Sequence, residues 1–524
     1  MIKTVTGCPA IGTMKNKISY SNFVNAKCTL FFTFFLFSLT TFGQSQSNII
    51  KKTEWNGMVS FVSKYGVMFQ NQFGQTLELS DNNTAMIIGT PKVDFAIVNI
   101  DGKLTQKWIT PLKGYPLGIG KFHGAILVIA AADKGFANNM TPIYKAYVLE
   151  EQTGKLISEK IIYEGNEDYL EDHDLFFAKD GSYFMMSVRH TEKKRKVGIF
   201  NTEKAESDFK STTSFTLIDF DRQLNQREKT NPVIPKGESW MVSDYQSGRF
   251  LISAIDKAAG KLNVATYVAS SPDPLVTVSI PIDLHKSGDI YSAKTISAPD
   301  SLINYMAIIY LNQNREVALS VAKIHFNTRT YSVINEVFDK KHMKELKDSF
   351  VASDKKNDDL TFSSPNFFGI RSVELYGNKL MVALSSRYVS SYNKIVITAE
   401  SSMLLNVYDK NLKKQYHQFL PREFYNMTNQ GFDVAFNLKG STLKMLYNKK
   451  SNVNSDVVPI YSEMDIENGK ILKMNKIMGA ETNEDYFMNT KSVSWMDQSC
   501  VIPYLDRQRA FSIKLGMQMQ LVNH

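Results

Sequence analysis

The chain has 524 residues and a formal charge of +9, from 61 Lys and Arg against 52 Asp and Glu. The first 43 residues hold four of those bases and no acid, so the remainder carries 57 bases against 52 acids, too mild an excess to suggest nucleic acid as a partner. Cys8 and Cys28 also fall in that opening, so residues 44–524 hold Cys500 alone and cannot form an internal disulfide.

The opening reads as a leader. Lys15, Lys17 and Lys27 precede the apolar run Leu30 to Leu39, short for a membrane span but suited to a secretory signal. Thr41-Phe42-Gly43 places small residues for a cut before Gln44. An uncleaved anchor is the alternative. No Cys stands where a lipoprotein cut would need one, and no sustained apolar run occurs after residue 44. The expectation is a leader over 1–43, no transmembrane segment once it is removed, and export to a periplasmic or extracellular location.

After the leader the chain repeats one unit. Asp174 to Thr230 shows it as four short strands, with reversals at Asp180-Gly181 and Asp221-Arg222-Gln223 and a long polar connection from Arg189 to Asp208. Alternating hairpins recur with turns at Asp101-Gly102, Thr153-Gly154, Asp221, Pro272-Asp273-Pro274, Asn327-Thr328, Asp409-Lys410-Asn411 and Asn468-Gly469. Between them lie near-continuous apolar strands such as Ala125 to Ala130, Phe250 to Ile255, Tyr305 to Tyr310 and Leu380 to Leu384. Continuous apolarity signals burial on both faces and alternation a half-exposed strand. Repeated radially, the unit is a propeller blade.

The predicted fold is therefore all-β: one β-propeller over 44–524, with about eight four-stranded blades of roughly 60 residues. Seven blades, or two β-sandwich-like domains, are the alternatives. The last unit lacks a fourth strand, so an N-terminal segment is expected to close the ring, with Met58 to Gln70 pairing with Ala510 to Gly516. Between 338 and 361, Met343, Leu346 and Phe350 recur at helical spacing and predict a short inserted helix.

Gln152-Thr-Gly-Lys-Leu156 and Glu467-Asn-Gly-Lys-Ile471 resemble the turn of the quinoprotein-like propeller repeat, which supports the architecture and implies no quinone. The leader ending Phe42-Gly43-Gln44 is similar to those of exported proteins of the Bacteroidota, which include many uncharacterised propellers.

Two constellations could carry chemistry. Asn166 to Asp174 gathers five carboxylates and an imidazole, including Glu167, Asp168, Asp172, His173 and Asp174, and Asn483 to Tyr486 repeats its first four residues with Glu484 and Asp485. An oxygen-rich loop of this kind suits calcium, and paired carboxylates suit glycoside cleavage; a solvated loop is the plain alternative. Arg189, Arg387 and Arg507 end the second strands of their units, on the face where crossovers between blades also emerge. Together these residues are expected to ring one mouth of the channel, unless the arginines only bridge blades. No H-E-x-x-H, G-x-S-x-G or phosphate-binding glycine loop is present. The function this supports is a non-catalytic binding or scaffold propeller of the cell envelope. Its partner would be a polymer, a small molecule or another envelope protein, and the competing class is a hydrolase or lyase acting on glycans.

Overall fold

Runs of strand-forming residues, most of five to ten, cut by Asp, Asn and Gly, fold into eight antiparallel sheets, six of four strands and two of five, arranged as an eight-bladed propeller. The computed structural model describes residues 49–523 apart from internal segments, of which the longer are 56–73, 133–141, 193–212, 354–367 and 478–485. Blades one to seven run outward from the channel in chain order. The innermost strands of blades one to four are Thr76–Glu78, Tyr115–Phe122, Tyr169–Phe177 and Trp240–Asp244. Those of blades five to seven are Ile290–Ser297, Phe368–Tyr376 and Ala435–Lys439, and Tyr486–Met488 with Ser494–Trp495 serve blade eight.

The two classes of strand seen in the sequence occupy the places their patterns require. Phe250–Asp256, the second strand of blade four, is buried along its whole length, whereas Val276–Pro281 at the rim alternates. Each fully buried Leu, Ile or Phe contributes about 1.5–3 kcal/mol, so the core sits in the second and third strands, between neighbouring blades.

One outer turn recurs in blades one, three and six. Asp101, Asp221 and Asp409 each accept hydrogen bonds from the amides two and four residues on. The residue three on is Leu104, Leu224 or Leu412, held at φ of 56°, 57° and 66°. A left-handed leucine costs roughly 1–2 kcal/mol. Each is almost fully buried, which offsets that strain by a similar amount.

Blades two and seven use glycine instead, because a ring from the preceding blade occupies the space. A Cβ on Gly154 would lie 2.3 Å from the Trp108 ring, and one on Gly469 2.6 Å from Tyr416. Trp108 Nε1 donates to Glu151 O at 3.2 Å, and Tyr416 Oη donates to Ile466 O at 2.5 Å. Gly154→Ala is therefore expected to destabilise by about 2–4 kcal/mol, adding overpacking to backbone strain. Gly377→Ala, at a similar φ with nothing within 4 Å, isolates the strain and should cost only about 1 kcal/mol. Equal shifts in the two urea midpoints would show that the ring contact contributes nothing.

An N-terminal strand closes the ring, as expected, and the strand described lies ahead of the predicted segment. Ile49–Trp55 pairs antiparallel with Lys514–Asn523, from Ile49 opposite Val522 to Trp55 opposite Met517, and forms the rim of blade eight. Met58 to Gln70 lies outside the described residues. The rim takes half-exposed strands, and Ile-Ile-Lys-Lys-Thr-Glu-Trp is polar in the way of the rim strands Gln226–Thr230 and Ile471–Lys476. Near the axis the seam is held by a buried Thr84 Oγ1–Ser494 Oγ hydrogen bond of 2.7 Å, and Thr76 Oγ1 donates to Ser492 O at 3.1 Å.

The inserted helix is Lys340–Ser353. It buries Leu346 and half-buries Met343 against the core between blades five and six. The Phe350 side chain lies outside the described residues.

Candidate functional site

The acidic run expected to be a loop is mostly strand. Tyr169 opens the innermost strand of blade three, and Tyr486, in the second copy of the motif, opens that of blade eight. A strand alternates its side chains, so Asp172 and Asp174 share one face with Arg189 and Ser187 of the next strand, while Glu171 and His173 share the other. Asp174 accepts from Ser187 Oγ at 3.2 Å, and partial enclosure raises its pKa although water reaches the residue. His173 meets Tyr144 Oη at 2.8 Å, and burial lowers its pKa despite the flanking aspartates. Glu171 bonds His190 Nδ1 at 2.9 Å, and His190 Nε2 bonds Thr216 Oγ1, whose proton goes to Asn231. That chain has a carboxylate, an imidazole and a hydroxyl in sequence, but Thr216 is buried and spends its hydroxyl on Asn231.

Arg189 and Arg387 lie in different blades. Arg189 lies over the Phe215 ring at 5.5 Å within blade three. Arg387 belongs to blade six and points to Glu400 at 3.4 Å. Glu167, Asp168, Glu484 and Asp485 lie outside the described residues, as does the side chain of Arg507. No group of three or more His, Cys, Asp or Glu is placed to hold a metal among the described residues.

A stronger cluster escaped the sequence. In blade six the second and third strands, Lys379–Tyr392 and Ile395–Asp409, run past the sheet as a long hairpin. Glu400, at the base of that extension, is fully buried among Arg371, Arg387 and Arg422, with nitrogen–oxygen distances of 2.5, 3.4 and 3.3 Å. Burial alone would raise the Glu400 pKa; the three guanidiniums outweigh it and hold the carboxyl below its ordinary value. Arg422 is itself fully buried and donates onward to Asn448 O, Gly431 O and Phe432 O, which ties blade six to blade seven. Arg371, bound to Glu400 through Nε, also borders the wall of the innermost strands.

There the wall holds a cleft of about 310 Å³ between the innermost strands of blades six, seven and eight. Arg371, Glu374, Asp433, Phe436, Lys491 and Trp495 are the side chains that give it character. Lys491 pairs with Asp433 at 3.4 Å, and Glu374 accepts from Ser372 Oγ. Lys294 of blade five comes within electrostatic reach of Arg371, Glu374, Asp433 and Lys491. Its strand is fixed beside blade six by Ile370 N donating to Ser292 Oγ at 3.1 Å, and Lys294, two residues on, shares that face. Enclosure by the wall lowers the Lys294 pKa although water reaches the side chain. The lining mixes charges with an indole and a phenyl ring, and contains neither histidine nor cysteine.

A third cluster anchors the helix. His342 Nε2 meets Glu336 Oε1 at 2.7 Å, and Lys414 Nζ donates to the same oxygen at 2.8 Å. The hydrogen bond to Glu336 raises the His342 pKa. A raised imidazole stabilises the fold fully below its unfolded value, about 6.5, and that contribution fades as pH rises through the folded value. His342→Asn should therefore lower the midpoint most in mild acid, with the difference shrinking as the pH rises; a constant difference would rule out the ion pair as its source.

No family model matches the chain, and no curated protein matches its sequence. Among solved structures, BamB from Moraxella catarrhalis overlaps 90% of this chain and 99% of its own at 10% identity and a TM-score of 0.39. The polysaccharide lyase Uly1 overlaps 91% and 99% at 8% identity and 0.39. The WD40 domain of SCAP from fission yeast overlaps 86% and 95% at 11% identity and 0.38. At such scores the likenesses carry no functional argument. The blade count rests on this chain's own strand pairing, and no helix among the described residues is long and apolar enough to cross a membrane.

Proposed function

We propose that this is an exported binding propeller of the cell envelope that holds its ligand in the channel cleft between blades six and eight. The observation that supports this most is the cleft itself. It is a concave site on rigid inner strands, with an aromatic wall and several polar groups contributed by different blades. The leader-like opening supports export. Asp172, Asp174 and Arg189, sharing a face in blade three, remain a second candidate patch, and calcium is its proposed ion.

The test is a thermal-shift panel of small saccharides, peptides and calcium, repeated on Trp495→Ala and on a double Asp172→Asn, Asp174→Asn variant. A ligand that binds only the folded chain raises its midpoint. The expected result is a shift with an organic ligand that Trp495→Ala removes and the double variant leaves. A shift lost only in the double variant would move the site to blade three, and no shift with any probe would end the binding reading. Consumption of a glycan, abolished by Glu374→Gln, would replace it with the glycan-cleaving alternative.

A further inference from the structure

We infer that the cleft takes its ligand by an anionic group on a hydroxylated body, seated on Arg371 and Lys294 beside Lys491. This ligand class rests on the binding role proposed for the same cleft.

Charge supplies the first reason. The charged groups that line the cleft balance, Arg371 and Lys491 against Glu374 and Asp433; around them stand Lys294, Arg387 and Arg422 against Glu400 and Glu78, which accepts from Trp495 N at 3.1 Å. Glu400 is already saturated, because its two oxygens receive three guanidiniums and the Ser385 hydroxyl. The surroundings therefore carry one positive charge in excess, which an anion completes.

Unused donors supply the second. Arg371 spends Nε on Glu400 and Ser385 Oγ and reaches Ser385 O with Nη2 at a long 3.4 Å. Its Nη1 bonds no described residue, and the guanidinium borders the cleft. Lys294 makes no ion pair within 4 Å with a described residue. A planar fork with a free edge and a nearby ammonium suit a carboxylate or a phosphate equally.

The acids explain the rest of the ligand. Glu374 and Asp433 border the same cleft, so a polyanion would meet like charge, whereas hydroxyl groups could donate to both. Trp495 offers an apolar face of the kind that packs on sugar rings. A uronic acid and a sugar phosphate share this chemistry.

Calorimetry with D-galacturonate, glucose 1-phosphate, D-galactose and sodium sulfate separates the possibilities, on the parent chain and on Lys294→Ala and Lys294→Glu. Lys294 is exposed and outside every ion pair described, so these variants should fold, which circular dichroism checks. One or both sugar acids should bind more tightly than galactose and sulfate, and which of the two does so identifies the source of the anion. Losing one charge-assisted contact should weaken that binding by about tenfold in Lys294→Ala, and by more in Lys294→Glu. Galactose binding as tightly as the acids, unchanged in both variants, would overturn the anionic group and leave the binding site standing. Acid binding that neither variant weakens would also overturn it. Failure of all four probes, galactose included, would count against both this inference and the cleft as a ligand site.

Discussion

Glu400→Gln is expected to destabilise the fold by about 3–5 kcal/mol, the loss typical when one partner of a buried ion cluster is removed. The substitution keeps the volume but leaves Arg371, Arg387 and Arg422 without a counter-charge, and Arg422 has no route to water. The loss should first appear as faster hydrogen exchange in the long hairpin of blade six and in the crossover that carries Arg422. Its pH dependence has a fixed sign. A carboxyl whose folded pKa is depressed stabilises above its unfolded value, about 4.3, and that contribution disappears as pH falls through the folded value. The two chains should thus differ most near neutrality and converge in acid. A variant as stable as the parent at pH 7 would mean that the guanidiniums are solvated enough to need no partner.

Deleting Ile49–Trp55 should be at least as damaging, and in a different way. It strips the rim strand from blade eight and leaves Lys514–Asn523 as a bare edge. Each lost backbone hydrogen bond is worth about 0.5–1.5 kcal/mol, so six paired positions amount to several kcal/mol before the entropy of ordering the strand is subtracted. The bare edge also invites pairing between molecules. Light scattering should report association at concentrations where the parent is monomeric, and a synthetic Ile49–Trp55 peptide in excess should suppress it. A deleted chain that stays monomeric with an unchanged midpoint would show that the ring closes without this strand.

The blades are legible because each is built from local signals. Asp101, Asp221, Asp409, Gly154 and Gly469 mark real turns, and the contrast between Phe250–Asp256 and Val276–Pro281 is the contrast between burial on two faces and on one. Pairings that join distant segments are not legible in this way. Ile49–Trp55 looks too charged to matter until the composition of the other rim strands is set beside it. The run ending at Asp174 reads as a loop for its charge, although a strand can place its acids alternately on two faces, as Glu171 and Asp172 do. Glu400 sits in Thr-Ala-Glu-Ser-Ser, which interrupts an apolar run and reads as its end. Its three partners come from positions 371, 387 and 422, which no local pattern connects.

The seam between blades eight and one also has a consequence for how the chain is made. Thr84 and Ser494 are 410 residues apart, and the rim strand at Ile49 waits for its partner Lys514–Asn523. During synthesis, seven blades can assemble in order from neighbouring strands, whereas the eighth cannot form until its final strand has emerged. Premature termination anywhere upstream therefore yields a body with unpaired backbone at both exposed ends, the kind of surface that quality-control proteases and chaperones engage.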